Sequence, residues 1–355
     1  MEIGPNSDQL ALRDSVREVL HAECPPEVAR QALTDPERWR PLWKTVRELG
    51  WTELAAPDDT YGPVELAVVL EECGAALAPI PLLSSVGLAA GLLRAAGPDL
   101  DAVRADIAAG AVAALAAHRP GQRLPGPTMT LEASRLRGRA VAVPGLPRAE
   151  LLVALADSDG ATVVAVTRIG DGVTVTPADC TDPAQPVADV QVDAVPVVTA
   201  PVDADSAWAA PLLAAAADLV GVARAALDRS VQHATTRQQF GKPIGAFQGI
   251  KHALADNYVA VERARSLSYA AAAHLADPDT GPADAWRAAA LAKAAAGDAA
   301  LGCARTAVQV HGALAQTWEH DMHLYLRHAW QAATTLGDPR ALYHAVGAQF
   351  AGGTR

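Results

Sequence analysis

Cysteine is scarce, and the four present, Cys24, Cys73, Cys180 and Cys303, stand far apart with no C-x-x-C pair. That excludes a disulfide framework and a zinc site of the usual spacing, and the thiols read as reduced and buried. Basic charge is short as well: the formal net charge is −11, with no dense Lys/Arg run. No nucleic acid and no anionic membrane is therefore expected as a partner, and an anionic ligand needs a local basic patch. The start, Met1-Glu-Ile-Gly-Pro, lacks the basic stretch and apolar core of a signal peptide. The most apolar long run, Ala207 to Ala226, is rich in alanine and carries Asp218 and Arg224, so it reads as a packed helix and no membrane span. A cytoplasmic location is the expectation.

Half of the residues are hydrophobic, enough for a large core, and the length fits two or three domains. From Ser7 to Glu23, Leu12, Val16, Val19 and Leu20 recur at helical spacing, and Cys24-Pro-Pro ends that helix. Asp35-Pro36 predicts a second helix, with Asp as N-cap, carrying Trp39, Leu42, Trp43, Val46 and Leu49 up to Gly50. Its tryptophans read as core anchors. A third helix follows Gly62-Pro63, with Leu66, Val69, Leu70, Cys73 and Leu77 on one face, and the helical pattern continues over 82–96 and 101–109. Glu71 and Glu72 are adjacent, point apart on that helix, and read as a solvated polar face.

Near Gly110 the period changes. Short β-branched runs at 128–131, 139–143, 151–155, 161–166, 173–176 and 189–192 are divided by Gly, Pro, Asp and Ser, and His118 to Pro127 is a loop. Such strands predict a small β-barrel or sandwich. From Asp203 the chain turns helical again, near 204–235, 246–276, 282–311 and from about 319, with alanine-rich surfaces that permit a closely packed four-helix bundle. The expected class is α+β: an N-terminal α-helical domain at 1–110, a middle β-domain at 111–200 and a C-terminal helical bundle at 201–355.

Two stretches carry the chemistry. In Thr236-Arg-Gln-Gln-Phe-Gly-Lys-Pro-Ile-Gly-Ala-Phe-Gln248, Gly241, Pro243 and Gly245 stop one helix and force a tight connection before the next. Such a corner presents Arg237, a planar fork of donors suited to a pyrophosphate, and Phe240, an apolar face suited to an adenine ring. Alone, it reads more simply as a helix corner whose Arg caps carbonyls and whose Phe is core. The second stretch runs Gln309-Val-His-Gly-Ala-Leu-Ala-Gln-Thr-Trp-Glu-His-Asp-Met-His-Leu-Tyr-Leu-Arg327. The first resembles the R-x-x-F-G-x-P-I-x-x-F-Q signature of flavin-dependent acyl-CoA dehydrogenases, and the second resembles their Q-x-x-G-G segment. The order helices, β-domain, bundle is also theirs, so the resemblance covers nearly the whole chain.

The resemblance implies FAD bound across a subunit interface, with the ring on one chain's β-domain and the pyrophosphate and adenine on the neighbour's corner. It places Arg237, Gln239, Phe240, Gln309 and Gly312 on the neighbour side, with Ala313 where the family has a second glycine that permits close backbone approach. The implied reaction is α,β-desaturation of an acyl-CoA substrate, a glutamate removing the α-proton while the flavin takes a hydride. The ring side and the base have no counterpart. Between Ala111 and Gly145 there is no T-E-x-x-x-G-S-D type loop, no W-I-T-N type strand end and no tryptophan. The family's two base positions fall on Leu336 and Pro211. Asp218, Glu262, Glu319 and Asp321 are the carboxylates nearby, the first two reading as surface or bundle salt bridges. A chain with the neighbour-side half alone resembles the non-catalytic subunit of the heterotetrameric acyl-CoA dehydrogenases of actinobacteria, several of which act on steroid side-chain CoA thioesters. The implied partner is a second acyl-CoA dehydrogenase subunit carrying the catalytic Glu. Two alternatives stay open: a homomeric enzyme with a displaced base such as Glu319, and a flavin-free scaffold subunit.

Overall fold

Asn6 opens the first helix, α1 (Ser7–Glu23), by accepting the N–H groups of Asp8 and Gln9, while the Gln9 amide oxygen accepts the Asn6 N–H in return. The computed structural model describes residues 4–58, 60–204 and 206–352. Cys24 ends α1 as expected, but Pro25-Pro26 immediately starts α2 (Pro26–Ala32), because a proline in the first turn loses no hydrogen bond there. The next helix, α3 (Arg40–Glu48), begins later than Asp35-Pro36 predicts. The Asp35 carboxylate instead accepts the Glu37 N–H and closes a turn, and Pro41 occupies the first helical turn. Trp39 and Trp43 are buried core anchors. α4 (Pro63–Ala76) follows, then a π-helical segment, Leu83–Ala89, running into α5 (Ala90–Ala95), and α6 (Asp101–Ala108).

Glu71 and Glu72 correct the expectation of a solvated face. The two carboxylates converge on one arginine, Arg224, α4 is packed on several sides, and the two residues are only 7 % and 3 % exposed. Glu72 accepts two hydrogen bonds from Arg17 on α1, at 3.1 and 2.8 Å. Glu71 accepts from Arg265 at 3.2 Å, and Arg224 bridges the pair at 3.2 and 2.9 Å. Buried carboxylates persist because arginines meet each of them.

The strands are β1 (Ala113–Ala116), β2 (Met129–Glu132), β3 (Arg135–Pro144), β4 (Leu151–Ser158), β5 (Ala161–Arg168), β6 (Val173–Pro177), β7 (Val187–Ala194) and β8 (Val198–Pro201). They form one mixed sheet in the order β6-β7-β3-β2-β4-β5-β8, with β1 parallel to β4. β1 escapes a β-propensity reading because Ala-Ala-Leu-Ala carries no β-branched residue, and β8 because it is only four residues long and ends in proline. β4 is the hinge of the packing. Its Leu151, Val153 and Leu155 join the helical core, while Leu152, Ala154 and Ala156 join the sheet's own interior, as period-two alternation requires.

The remainder is helical: α7 (Ala209–Thr236), a two-residue-loop hairpin of β9 (Gln238–Gln239) and β10 (Lys242–Pro243), α8 (Gln248–Ala276), α9 (Pro282–His311), α10 (Met322–Ala332) and α11 (Pro339–Gly352). α7 is long and apolar enough to cross a membrane, yet 83 % of its most apolar window is buried against the rest of the chain, so it is a core helix. It packs against α4, α8 and α9.

Candidate functional site

The corner is built by a helix end and a strained turn. Arg237 caps α7 with its N–H bonded to the His233 carbonyl at 2.8 Å. Gln239 then pairs with Lys242, leaving Phe240 and Gly241 as the loop, with φ of 53° and 77°. Two successive positive φ values define a type I′ turn, in which Gly and Asn are at home and Phe is not. Phe240 is nevertheless held there, 91 % exposed, its ring edge-on to Phe247 at 6.0 Å. Arg237 is exposed and makes no side-chain hydrogen bond or ion pair among the described residues.

The second stretch is brought to the same end of the bundle. α9 finishes at His311, and Gly312, with φ 66° and ψ −147°, turns the chain into a short 3-10 helix, a conformation that a side chain resists. His233, one turn before Arg237, stacks on His311 with ring centroids 4.2 Å apart, so the two sequence-distant stretches meet. Gln309, Gly312 and Ala313 are all exposed beside them. The Arg237 side chain caps no carbonyl among the described residues, and Phe240 is not core.

A second candidate region is a cavity of about 340 Å³ between the sheet and α10. Its walls include Ala117, His118, Val141, Val143, Gln331 and Leu336. Both ring nitrogens of His118 are buried without a partner, and burial holds this imidazole below its ordinary pKa. The sequence motifs left no pocket here, and the structure places one, although its strand wall is aliphatic. Of the two positions at which the resemblance expects a base, Leu336 is 1 % exposed and lines this cavity, and Pro211 is buried beside Gly91. Glu319 is exposed and lines neither this cavity nor the cleft beneath the corner.

Sequence reasoning missed the polar join beside this cavity. His328 on α10 bonds Asp182 at 2.9 Å through Nδ1 and Asp218 at 2.8 Å through Nε2. Asp218 is thus a bundle ion pair, fully enclosed. Lys293 on α9, also buried, donates to the carbonyls of Ala333 and Gly337 on either side of Leu336, at 3.1 and 3.5 Å. A lysine within an alanine-rich helix was the only available signal.

Helices, a mixed sheet, and a bundle whose arginine corner faces outward define the acyl-CoA dehydrogenase class. The acyl-CoA dehydrogenase N-terminal domain matches residues 6–100 and the acyl-CoA dehydrogenase C-terminal domain matches residues 212–338. The chain belongs to the acyl-CoA dehydrogenase family. It is 31 % identical to the acyl-CoA dehydrogenase IpdE2 of Mycobacterium tuberculosis over 342 residues, 95 % of each chain. Among solved structures it is similar to a chain of the ChsE4–ChsE5 complex from Mycobacterium tuberculosis, with 28 % identity, a TM-score of 0.87 and 99 % of each chain covered. It shares its fold with the Tcur3481–Tcur3483 steroid ACAD, with 24 % identity, a TM-score of 0.88 and 98 % of each chain covered. The sheet, between residues 100 and 212, lies outside both family matches.

Proposed function

We propose that this chain is a cytoplasmic subunit of an FAD-dependent acyl-CoA dehydrogenase that holds the adenine and pyrophosphate side of the flavin for a catalytic partner chain and supplies no base. The observation that carries this is the corner itself. Phe240 is kept in a left-handed turn that costs about 1–2 kcal/mol for such a residue, with its ring free beside an unpaired Arg237. Strain that leaves the ring 91 % exposed, with only an edge contact to Phe247, supports a ligand contact.

The donor set fits such a ligand. Arg237 binds a pyrophosphate through parallel N–H groups, Phe240 offers its face to adenine, Gln239 and Gln309 offer amides, and Gly312 and Ala313 leave little side chain in the way, the Gly312 N–H being held by the Val308 carbonyl. Flavin, when bound, supplies the hydride acceptor for the desaturation of an acyl-CoA thioester. With Pro211 and Leu336 apolar and packed, the α-proton acceptor comes from the partner chain. The two-chain naming of the ChsE4–ChsE5 complex supports such an assembly. A steroid side-chain CoA thioester is the substrate we favour, on sequence resemblance.

The test is co-expression with the partner. Alone, the chain should be colourless, and the complex should be yellow. Arg237→Ala in the complex should lose flavin without unfolding, because removing a charge-assisted phosphate contact costs about 1.5–3 kcal/mol, roughly 10- to 150-fold in affinity. Flavin released per complex measures it, and a homotetramer carrying one flavin per chain would overturn the reading.

A further inference from the structure

Resting on the reading of the corner as a nucleotide site, we propose that the stacked His233–His311 pair is its second anion-binding element, gaining one proton as the pyrophosphate of an adenosine diphosphate moiety docks beside Arg237. Binding at this half-site is thereby tied to pH.

The rings lie 4.2 Å apart at 28°, close to parallel. Two full charges at that distance repel by about 4 kcal/mol at a near-surface effective dielectric, so the pair takes a single proton. His311 Nδ1 donates to the Ala307 carbonyl at 2.8 Å, which leaves Nε2 able to gain a proton without losing a bond. His233 has no ring hydrogen bond among the described residues. His320, 5.0 Å from His311, is different: its Nδ1 accepts the Met322 N–H at 3.3 Å, a bond that protonation would break, so it stays neutral as a third wall.

The charged groups facing the pair are Arg229 and Arg237 from α7, Asp321 and His323 from the segment entering α10, and Arg30 from α2. Asp321 is already held by Arg229 at 3.0 Å and by Arg30, so it does not neutralise the imidazoles. Without an anion, burial, then His311 and Arg237, hold His233 below the ordinary imidazole range. A phosphoryl group reverses the sign of that field. The carbonyl ends of α7 and α9 both converge here and favour a cation in their last turns, so the incoming proton is received where a helix end stabilises it. A cleft of about 260 Å³ beside the rings, walled also by Arg229, Gln232, Thr236, Met322 and the arginine-held Asp321 and ending one residue short of Arg237, gives the group room.

FAD and coenzyme A both carry an adenosine diphosphate moiety. The flavin-stripped complex of this chain with its catalytic partner is therefore titrated calorimetrically with each, at pH 6 and pH 8, in two buffers of different ionisation heat. FAD should bind roughly tenfold tighter at pH 6, with an uptake that averages about half a proton over the two pH units between. His233→Gln combined with His311→Gln should abolish the uptake and remove the difference in affinity between pH 6 and pH 8. The wild-type uptake needs no variant to be read. Proton uptake with coenzyme A and not FAD would keep the role of the pair and overturn the flavin reading of the corner. FAD binding without proton uptake, or with equal uptake in the double variant, overturns the pair and leaves the corner standing. Absence of FAD binding at both pH values overturns both.

Discussion

At the residue scale, Phe240 separates stability from binding. An Asn-Gly pair is the preferred occupant of a type I′ loop, so Phe240→Asn should relieve the left-handed strain and make the chain about 1 kcal/mol more stable to urea or heat. The same change removes the aromatic face, and flavin affinity should fall by up to about tenfold, in line with about 0.5–1.5 kcal/mol for a ring contact. Unchanged flavin binding would reduce Phe240 to a turn residue, and lost stability would show that its edge contact with Phe247 outweighs the turn strain. The corner was legible because its Gly and Pro punctuation is local and its arginine and phenylalanine stand in a recognisable spacing. The His233–His311 stack was not, because it exists only where two helix ends meet.

At the element scale, the crossing of α4 and α7 governs the buried charges. A Cβ on Gly221 would lie 1.9 Å from the Glu71 carbonyl oxygen, and one on Gly74 would lie 2.1 Å from that of Asp218, so each helix accommodates the backbone of the other. This approach sets Arg224 between Glu71 and Glu72. Gly221→Ala cannot be absorbed by a side-chain shift, since the obstacle is backbone, and it should destabilise by about 3 kcal/mol or more, read as a lower midpoint in urea. A loss below about 1 kcal/mol would mean that the crossing is loose. Helical spacing announced α4, but nothing in a single helix tells how many neighbours cover it, and the predicted solvated face therefore became an ion network. The same limit hid β1 and β8, short strands made by the partners they pair with, whereas α7, α8 and α9 were legible from length and alanine content.

At the scale of the whole molecule, the sheet and the bundle are joined through α10. Arg327 donates to the Thr181 carbonyl at 3.1 Å, Gln331 donates to the Gln185 carbonyl at 2.6 Å, and His328 lies between Asp182 beside the sheet and Asp218 in the bundle. Burial alone would lower the His328 pKa, but the two carboxylates prevail and push it up to about 10. Lys293 moves oppositely, pulled down to about 7 by burial against the pull of Asp218 and Asp338. The stabilisation from His328 is complete below its ordinary 6.5 and is lost as pH rises through about 10. The penalty of burying Lys293 is complete below about 7 and is relieved as pH rises toward 10.5. Between about pH 7 and 10 the folded chain thus holds one proton more at His328 and one fewer at Lys293 than the unfolded chain, and two slopes of about 1.4 kcal/mol per pH unit oppose each other. Single substitutions should expose them. Relative to the wild type, His328→Gln should gain stability as pH is raised from 7 to 10, and Lys293→Met should lose it, in thermal or urea unfolding at three pH values. A His328→Gln profile parallel to the wild type would mean that the folded chain gains no proton at this histidine, and that the join between sheet and bundle is a neutral hydrogen-bonded contact.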